Sequence, residues 1–172
     1  MDATIDRERF ARIALSFVAE PGDLTLGVML RTSSPAEVFA AVCDGRPPGP
    51  PAGAEGGEGT GQARAMERWA ARLGRVPTDF RLADWERAGL RLLCPGDPGW
   101  PTQLDVLGDA CPLLLWVQGS ADLRFACLRS VSVVGARAAT GYGQHVALEL
   151  AAALAERGWA VISGGSYSTK TP

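Results

Sequence analysis

Apolar residues in the first part of the chain recur at the spacing of an α-helix. Phe10, Ile13, Ala14 and Phe17 fall on one face of a helix over RERFARIALSFVAE. Two further helical stretches follow it. The pattern therefore predicts a small N-terminal helical domain over residues 1–43.

Turn and capping residues mark the ends of these helices. Pro21-Gly22-Asp23 ends the first helix, and LTLGVMLRT forms the second. Ser34 can cap the third, with Pro35 at its first position and Glu37 completing a capping box. Three helices in this order suit a small nucleic-acid-binding module and equally a domain that only packs, so both interpretations stay open.

A change in composition separates these helices from the next ones. Residues 44–63 contain seven glycines and four prolines. Such a segment has too few apolar side chains to fold on its own, so we predict a flexible tether. Helical spacing resumes over residues 64–90, which we expect to complete the N-terminal domain. Trp69 and Trp85 in this segment are predicted to pack in its core.

From residue 91 the helical spacing gives way to short apolar runs. The segment RLLCPGDPGWPTQLDVLGDACPLLLWVQGS predicts a short strand, a Pro/Gly turn and a short helix that opens at Pro101. A buried strand over Leu113–Val117 should follow. We predict that residues 91–172 form a second, α/β domain.

The clearest pattern is strand–helix–strand. Val131–Val134 is a short β-branched run, and Gln144–Arg157 repeats apolar residues at helical spacing. Gly158 suits the left-handed end of that helix, and Trp159–Ser163 is a second apolar strand. The order predicts a βαβ crossover and a Rossmann-like parallel sheet.

A βαβ unit brings the ends of its two strands and the start of its helix to one sheet edge, where ligands bind. Helix N–H groups there favour a phosphate, and glycines let backbone approach it closely. Thr140 can cap the helix or donate to a phosphate oxygen, and Arg137 offers a forked cation. The predicted phosphate-binding residues are Gly135, Arg137, Thr140, Ser163, Gly164 and Gly165.

Other nucleotide-binding patterns do not fit this stretch. The dinucleotide fingerprint GxGxxG needs glycine where Arg137 stands, and no GK[ST] follows as in a Walker A loop. No nucleophile–base pair is evident, so we expect no enzymatic activity and no catalytic residue. Two plainer interpretations remain open: Arg137 as a salt bridge at the sheet edge, and the glycines as turn residues.

Charge and composition narrow the function classes further. The net charge is −2, so DNA contact must come from a local basic cluster. The four cysteines and single histidine lack metal-site spacing, and we predict no metal, no cofactor and reduced thiols in a cytoplasmic protein. No apolar run is long enough for a membrane helix, and the N-terminal segment lacks the pattern of a signal peptide.

Three segments together resemble the DNA-processing protein A (DprA/Smf) family. They are VVGARAATGYG, then ELAAALAERG, then WAVISGG. The upstream PGDPGWPTQLDVLGDACPLLLWVQG is similar to the entry into that family's Rossmann domain. The N-terminal helices resemble its small helical domain, of SAM or helix-hairpin-helix type, although Pro21-Gly22-Asp23 keeps only part of the usual turn.

The resemblance implies a function. Family members bind single-stranded DNA, protect it and load the RecA recombinase during natural transformation, and they form homodimers through the Rossmann domain. In the family, SGG continues as A-x-G-I-D and about half a Rossmann domain more, whereas here SYSTKTP follows. We therefore expect a C-terminally truncated chain with an incomplete parallel sheet, only partly folded beyond residue 110.

Two other function classes compete with this interpretation. One is an enzyme related to the LOG-like nucleotide phosphoribohydrolases, which share a similar core but depend on a PGGxGTxxE segment that is absent here. The other is an interaction module in which the α/β part binds no ligand.

Overall fold

Helices and short strands make up a mixed α/β structure. The computed structural model describes residues 3–46, 58–78, 82–135 and 138–164. The chain divides into two units, Met1–Gly119 and Ser120–Pro172, and we describe each by itself. Within these residues no helix has both the length and the apolar character needed to cross a bilayer.

Unit 1 contains five α-helices, two 3-10 helices and two strands among its described residues. The α-helices are α1 (Ala3–Val18), α2 (Leu24–Met29), α3 (Pro35–Asp44), α4 (Glu58–Ala70) and α5 (Leu82–Arg87). The 3-10 helices span Leu73–Arg75 and Thr102–Ala110, and the strands are β1 (Leu90–Leu93) and β2 (Leu115–Gln118).

The predicted turn and capping residues occupy their expected places. Asp23 caps α2, because its carboxylate accepts hydrogen bonds from the N–H groups of Thr25 and Leu26. Ser34 and Glu37 form the capping box of α3. These contacts satisfy backbone groups that a helix start leaves unpaired.

The core of unit 1 forms where α1, α2, α3 and α4 meet. Leu15, Val18, Val38 and Val42 are completely shielded from solvent, and Trp69 is 1% exposed. The core position predicted for Trp69 is therefore confirmed. Burial on this scale stabilises by about 1.5–3 kcal/mol for each large apolar side chain, so these four helices behave as a packed body.

Strands β1 and β2 pair antiparallel and belong to unit 1. Leu92 lies opposite Trp116, and Leu92 packs with Ile13 of α1. Packing against α1 therefore places the strand pair in unit 1, which ends at Gly119. The domain expected from residue 91 onward stays a prediction, because a local pattern does not reveal that α1 covers this strand pair.

Two further differences concern residues 58–90. Helix α4 begins at Glu58, so helix extends into the segment predicted as a tether, while residues 47–57 lie outside the described part. Trp85 was predicted in the core, but it is 37% exposed. Its ring stacks on Trp116 with centroids 5.1 Å apart, which anchors α5 to the strand pair.

Unit 2 is built around a βαβ arrangement. It contains α6 (Leu123–Leu128), β3 (Ser130–Ser132), α7 (Gly141–Glu156) and β4 (Ala160–Ile162). β3 and β4 pair in parallel, and Gly158 adopts a left-handed φ of 74° after α7, both as predicted. None of the described residues of this unit is buried, so the unit has little core of its own.

A close backbone approach in unit 1 gives a first prediction. A Cβ atom on Gly27 of α2 would lie 2.0 Å from the backbone oxygen of Asp109, whereas a Cβ on Gly61 of α4 would meet nothing within 4 Å. We expect Gly27→Ala to destabilise the fold by about 1–3 kcal/mol. Gly61→Ala should stabilise it by up to about 1 kcal/mol, because alanine favours helix.

Thermal unfolding of the two variants checks this prediction. About 1 kcal/mol corresponds to several degrees in Tm for a domain of this size. Gly27→Ala should melt below the wild-type chain and Gly61→Ala at or above it. An unchanged Tm for Gly27→Ala would show that α2 does not press against the 102–110 helix at this point.

Candidate phosphate-binding site

The carboxyl ends of β3 and β4 lie side by side. Ser132 is level with Ile162 in the parallel register, and the N–H of Val133 donates to the carbonyl of Ile162 at 2.8 Å. Gly135 follows β3 and Ser163 follows β4. The structure thus brings these two segments to one edge of the strand pair, as the sequence predicts.

Thr140 begins helix α7. Its backbone is extended (φ −71°, ψ 159°), and its Oγ1 accepts a hydrogen bond from the N–H of Gly143 at 3.2 Å. From the sequence, this side chain could either cap the helix or donate a hydrogen bond to a phosphate oxygen. The structure shows the capping hydrogen bond. The two roles are compatible, since a hydroxyl that accepts one hydrogen bond can still donate its own proton.

The backbone N–H groups at the start of α7 differ in their hydrogen-bond partners. The N–H of Gly143 is taken by Thr140 Oγ1, and the N–H of Gln144 by the Thr140 carbonyl. The N–H groups of Gly141 and Tyr142 have no acceptor among the described residues. Two available donors at the positive end of a 16-residue helix form an arrangement that suits a phosphate.

Space and charge around this edge also fit an anion. A Cβ on Gly135 or Gly164 would meet nothing within 4 Å, so a ligand can approach the backbone there. Residues 130–148 and 160–172 contain no Asp or Glu. A chain whose overall charge is −2 therefore keeps carboxylates out of the sequence segments that supply this edge, which favours negatively charged ligands.

Four of the six predicted site residues fall in the described part of unit 2, and all four are exposed: Gly135, Thr140, Ser163 and Gly164. Arg137 and Gly165 lie outside the described residues. Two exposed apolar side chains near the same edge were not among the predicted site residues, namely Val134 and Tyr142. For Tyr142, the sequence did carry a signal, which is an aromatic residue between two glycines in the segment TGYG.

Unit 1 has a cleft of its own. It has a volume of about 330 Å³, and Arg12, Arg31, Asp109 and Cys111 are among its lining residues. Arg31 donates from Nε to a carboxylate oxygen of Asp109 at 2.6 Å and from Nη2 to the other. Arg12 donates to the Leu113 carbonyl. Both guanidinium groups thus donate to acceptors of the protein itself. This cleft is therefore a weaker candidate for anion binding than the edge of unit 2.

The four cysteines form no disulfide with one another. All four are free thiols. Burial raises the pKa of the Cys94 thiol, with Arg12 and Arg9 acting in the opposite direction, and burial also raises the pKa of Cys43 and Cys111. Thiols shifted in this direction are poor nucleophiles near neutral pH. Over the described ranges, no three His, Cys, Asp or Glu side chains cluster closely enough to hold a metal ion.

Comparison with known proteins places this site in a family. Residues 91–169 match the family model of DNA recombination-mediator protein A. The chain is 38% identical over 173 aligned positions to the DNA processing protein DprA of Mycobacterium tuberculosis, in strain CDC 1551 and in strain H37Rv. The alignments cover 95% of this chain and 41% of each relative.

The chain thus spans less than half the length of these relatives. No solved structure matches it. The family match includes the sequence segments GAR and SGG that the sequence singled out, together with helix α7. Residues 91–169 thus belong to the DNA recombination-mediator protein A family, and the chain as a whole is similar to the mycobacterial DprA proteins.

Proposed function

We propose that this chain supplies the phosphate-binding edge of a single-stranded DNA-binding protein. One observation carries the proposal: Thr140 caps α7, and among the described residues no group accepts from the N–H groups of Gly141 and Tyr142, on the helix that joins two parallel strands. A backbone phosphate held there would accept these hydrogen bonds and meet the positive end of the helix. Arg137 would add a charge-assisted contact.

Such a site positions DNA without reading its sequence. Contacts to phosphate oxygens carry no base information, and binding should therefore be similar for strands of different sequence. Protection of incoming DNA and its transfer to the RecA recombinase in the cytoplasm, during natural transformation, fit this mode of binding. These roles rest on the family resemblance, as do a Rossmann-like sheet built on β3 and β4 and a homodimer of the complete protein.

The proposed activity is binding without turnover. The predicted site residues that the structure describes at this edge are Gly135, Gly164, Ser163 and the capping Thr140, and the sequence offers no recognisable nucleophile–base motif there. A phosphate cradle of backbone N–H groups can hold an anion in this way without activating it.

A titration with two ligands tests the proposal. Fluorescently labelled single-stranded DNA should bind the chain, with an affinity that falls as salt rises, and a purine monophosphate in excess should not displace it. Displacement by the monophosphate would favour a nucleotide-acting relative of the LOG-like enzymes. Binding of neither ligand would favour an interaction module and contradict the proposal.

A further inference from the structure

Tyr142 stands out at the edge of unit 2 because its aromatic side chain is 79% exposed. It lies in the first turn of α7, two residues after the capping Thr140. Among the described residues, its ring stacks on no other aromatic ring and its hydroxyl has no hydrogen-bond partner. A large aromatic group so exposed contributes little to packing.

Helix geometry places this ring beside the proposed phosphate site. Side chains of an α-helix tilt toward its N-terminus, so a residue in the first turn covers the turn that precedes it. The 79% exposure of the Tyr142 side chain leaves its ring accessible to a partner from outside the chain.

We propose that Tyr142 stacks on an unpaired base of the DNA strand whose phosphate occupies the site. This inference rests on the proposed function, and it adds the protein side chain that contacts a base of the bound strand. In a nucleotide only the sugar separates base from phosphate, so a base next to the bound phosphate lies within reach of a first-turn ring. Every base has a flat π-face, and stacking therefore tolerates any sequence.

A stacking residue would give a preference for single strands that phosphate contacts alone do not give. A duplex and a single strand both present phosphates, but the bases of a duplex are paired and stacked on one another. Only an unpaired strand can place a base on Tyr142 without breaking pairs. The phosphate site would then hold the backbone, while Tyr142 selects single strands over duplex DNA.

Substitution of Tyr142 tests this role. Tyr142→Ala and Tyr142→Leu should each weaken binding of single-stranded DNA roughly five- to hundredfold, which is the range for loss of one stacked base. Tyr142→Phe should bind within about twofold of the wild type, because the flat ring remains. As a matched control, Leu148→Ala removes another exposed apolar group of α7, 71% exposed, and should leave the affinity unchanged.

A strand of abasic sites separates stacking from any effect on the fold. Wild-type and Tyr142→Ala chains should bind this strand with equal affinity, since it offers phosphates but no bases. If the wild type binds ordinary single strands and Tyr142→Ala binds them equally well, the stacking role is wrong while the proposed function stands. If the wild type binds neither strand, the proposed function itself is wrong and stacking falls with it.

Discussion

Amide hydrogens of β3, β4 and α7 are expected to exchange with solvent at least about a hundredfold faster than those of α1 and α3. The reason is the distribution of buried side chains. Leu15, Val18 and Val38 of unit 1 are fully shielded, whereas no described residue of unit 2 is buried. Two paired strands with one helix have few contacts to lose when they open.

Hydrogen exchange followed by mass spectrometry, on a sample whose oligomeric state is measured in parallel, checks this result. Peptides from residues 3–46 should stay protected long after peptides from residues 130–164 have exchanged. Equal protection of both regions in a monomer would contradict the account of unit 2. Protection that rises with protein concentration would instead reveal that another copy covers its apolar side chains, such as Leu148 and Val161.

Replacing Arg137 by alanine should weaken binding of single-stranded DNA roughly ten- to hundredfold. A charge-assisted contact to phosphate is worth about 1.5–3 kcal/mol, which converts to that range. The loss should be similar for strands of different sequence. The slope of log affinity against log salt should also shrink by about 0.7, the value expected for one phosphate contact on a single strand.

Two companion variants make the result specific. Arg137→Lys should recover only part of the affinity, because lysine keeps the charge but not the forked geometry. Arg157→Ala removes the same charge from the other end of α7, where Arg157 donates to the Ala153 carbonyl, and should change the affinity little. If Arg137→Ala binds with wild-type affinity and salt slope, Arg137 is a structural residue and contacts no phosphate.

Local chemistry was the part of the structure that the sequence predicted best. The capping box at Ser34 and Glu37 and the left-handed Gly158 are each specified within a few residues, by short-range hydrogen bonding and by backbone freedom. The parallel pair formed by β3 and β4 follows from the strand–helix–strand order of consecutive elements. For the same reason, the residues at the edge of β3 and β4 could be named before their geometry was known.

Features that depend on distant residues were not predicted. The pairing of β1 with β2 inside unit 1 depends on contacts between Leu92 and Ile13, which are far apart in sequence. The partial exposure of Trp85 follows from where α5 meets Trp116. A period of apolar residues shows which face of an element is buried, but it does not show which partner covers that face.

Binding of single-stranded DNA at the edge where β3, β4 and α7 meet can be followed by the glycine amide signals in a ¹⁵N NMR titration. Glycines 135, 141, 143 and 164 lie at that edge, whereas Gly27 and Gly45 lie in unit 1. The first four signals should shift together and saturate as DNA is added, while the signals of Gly27 and Gly45 stay in place. Shifts confined to the unit 1 glycines, or DNA binding that leaves all four edge signals unchanged, would contradict binding at this edge.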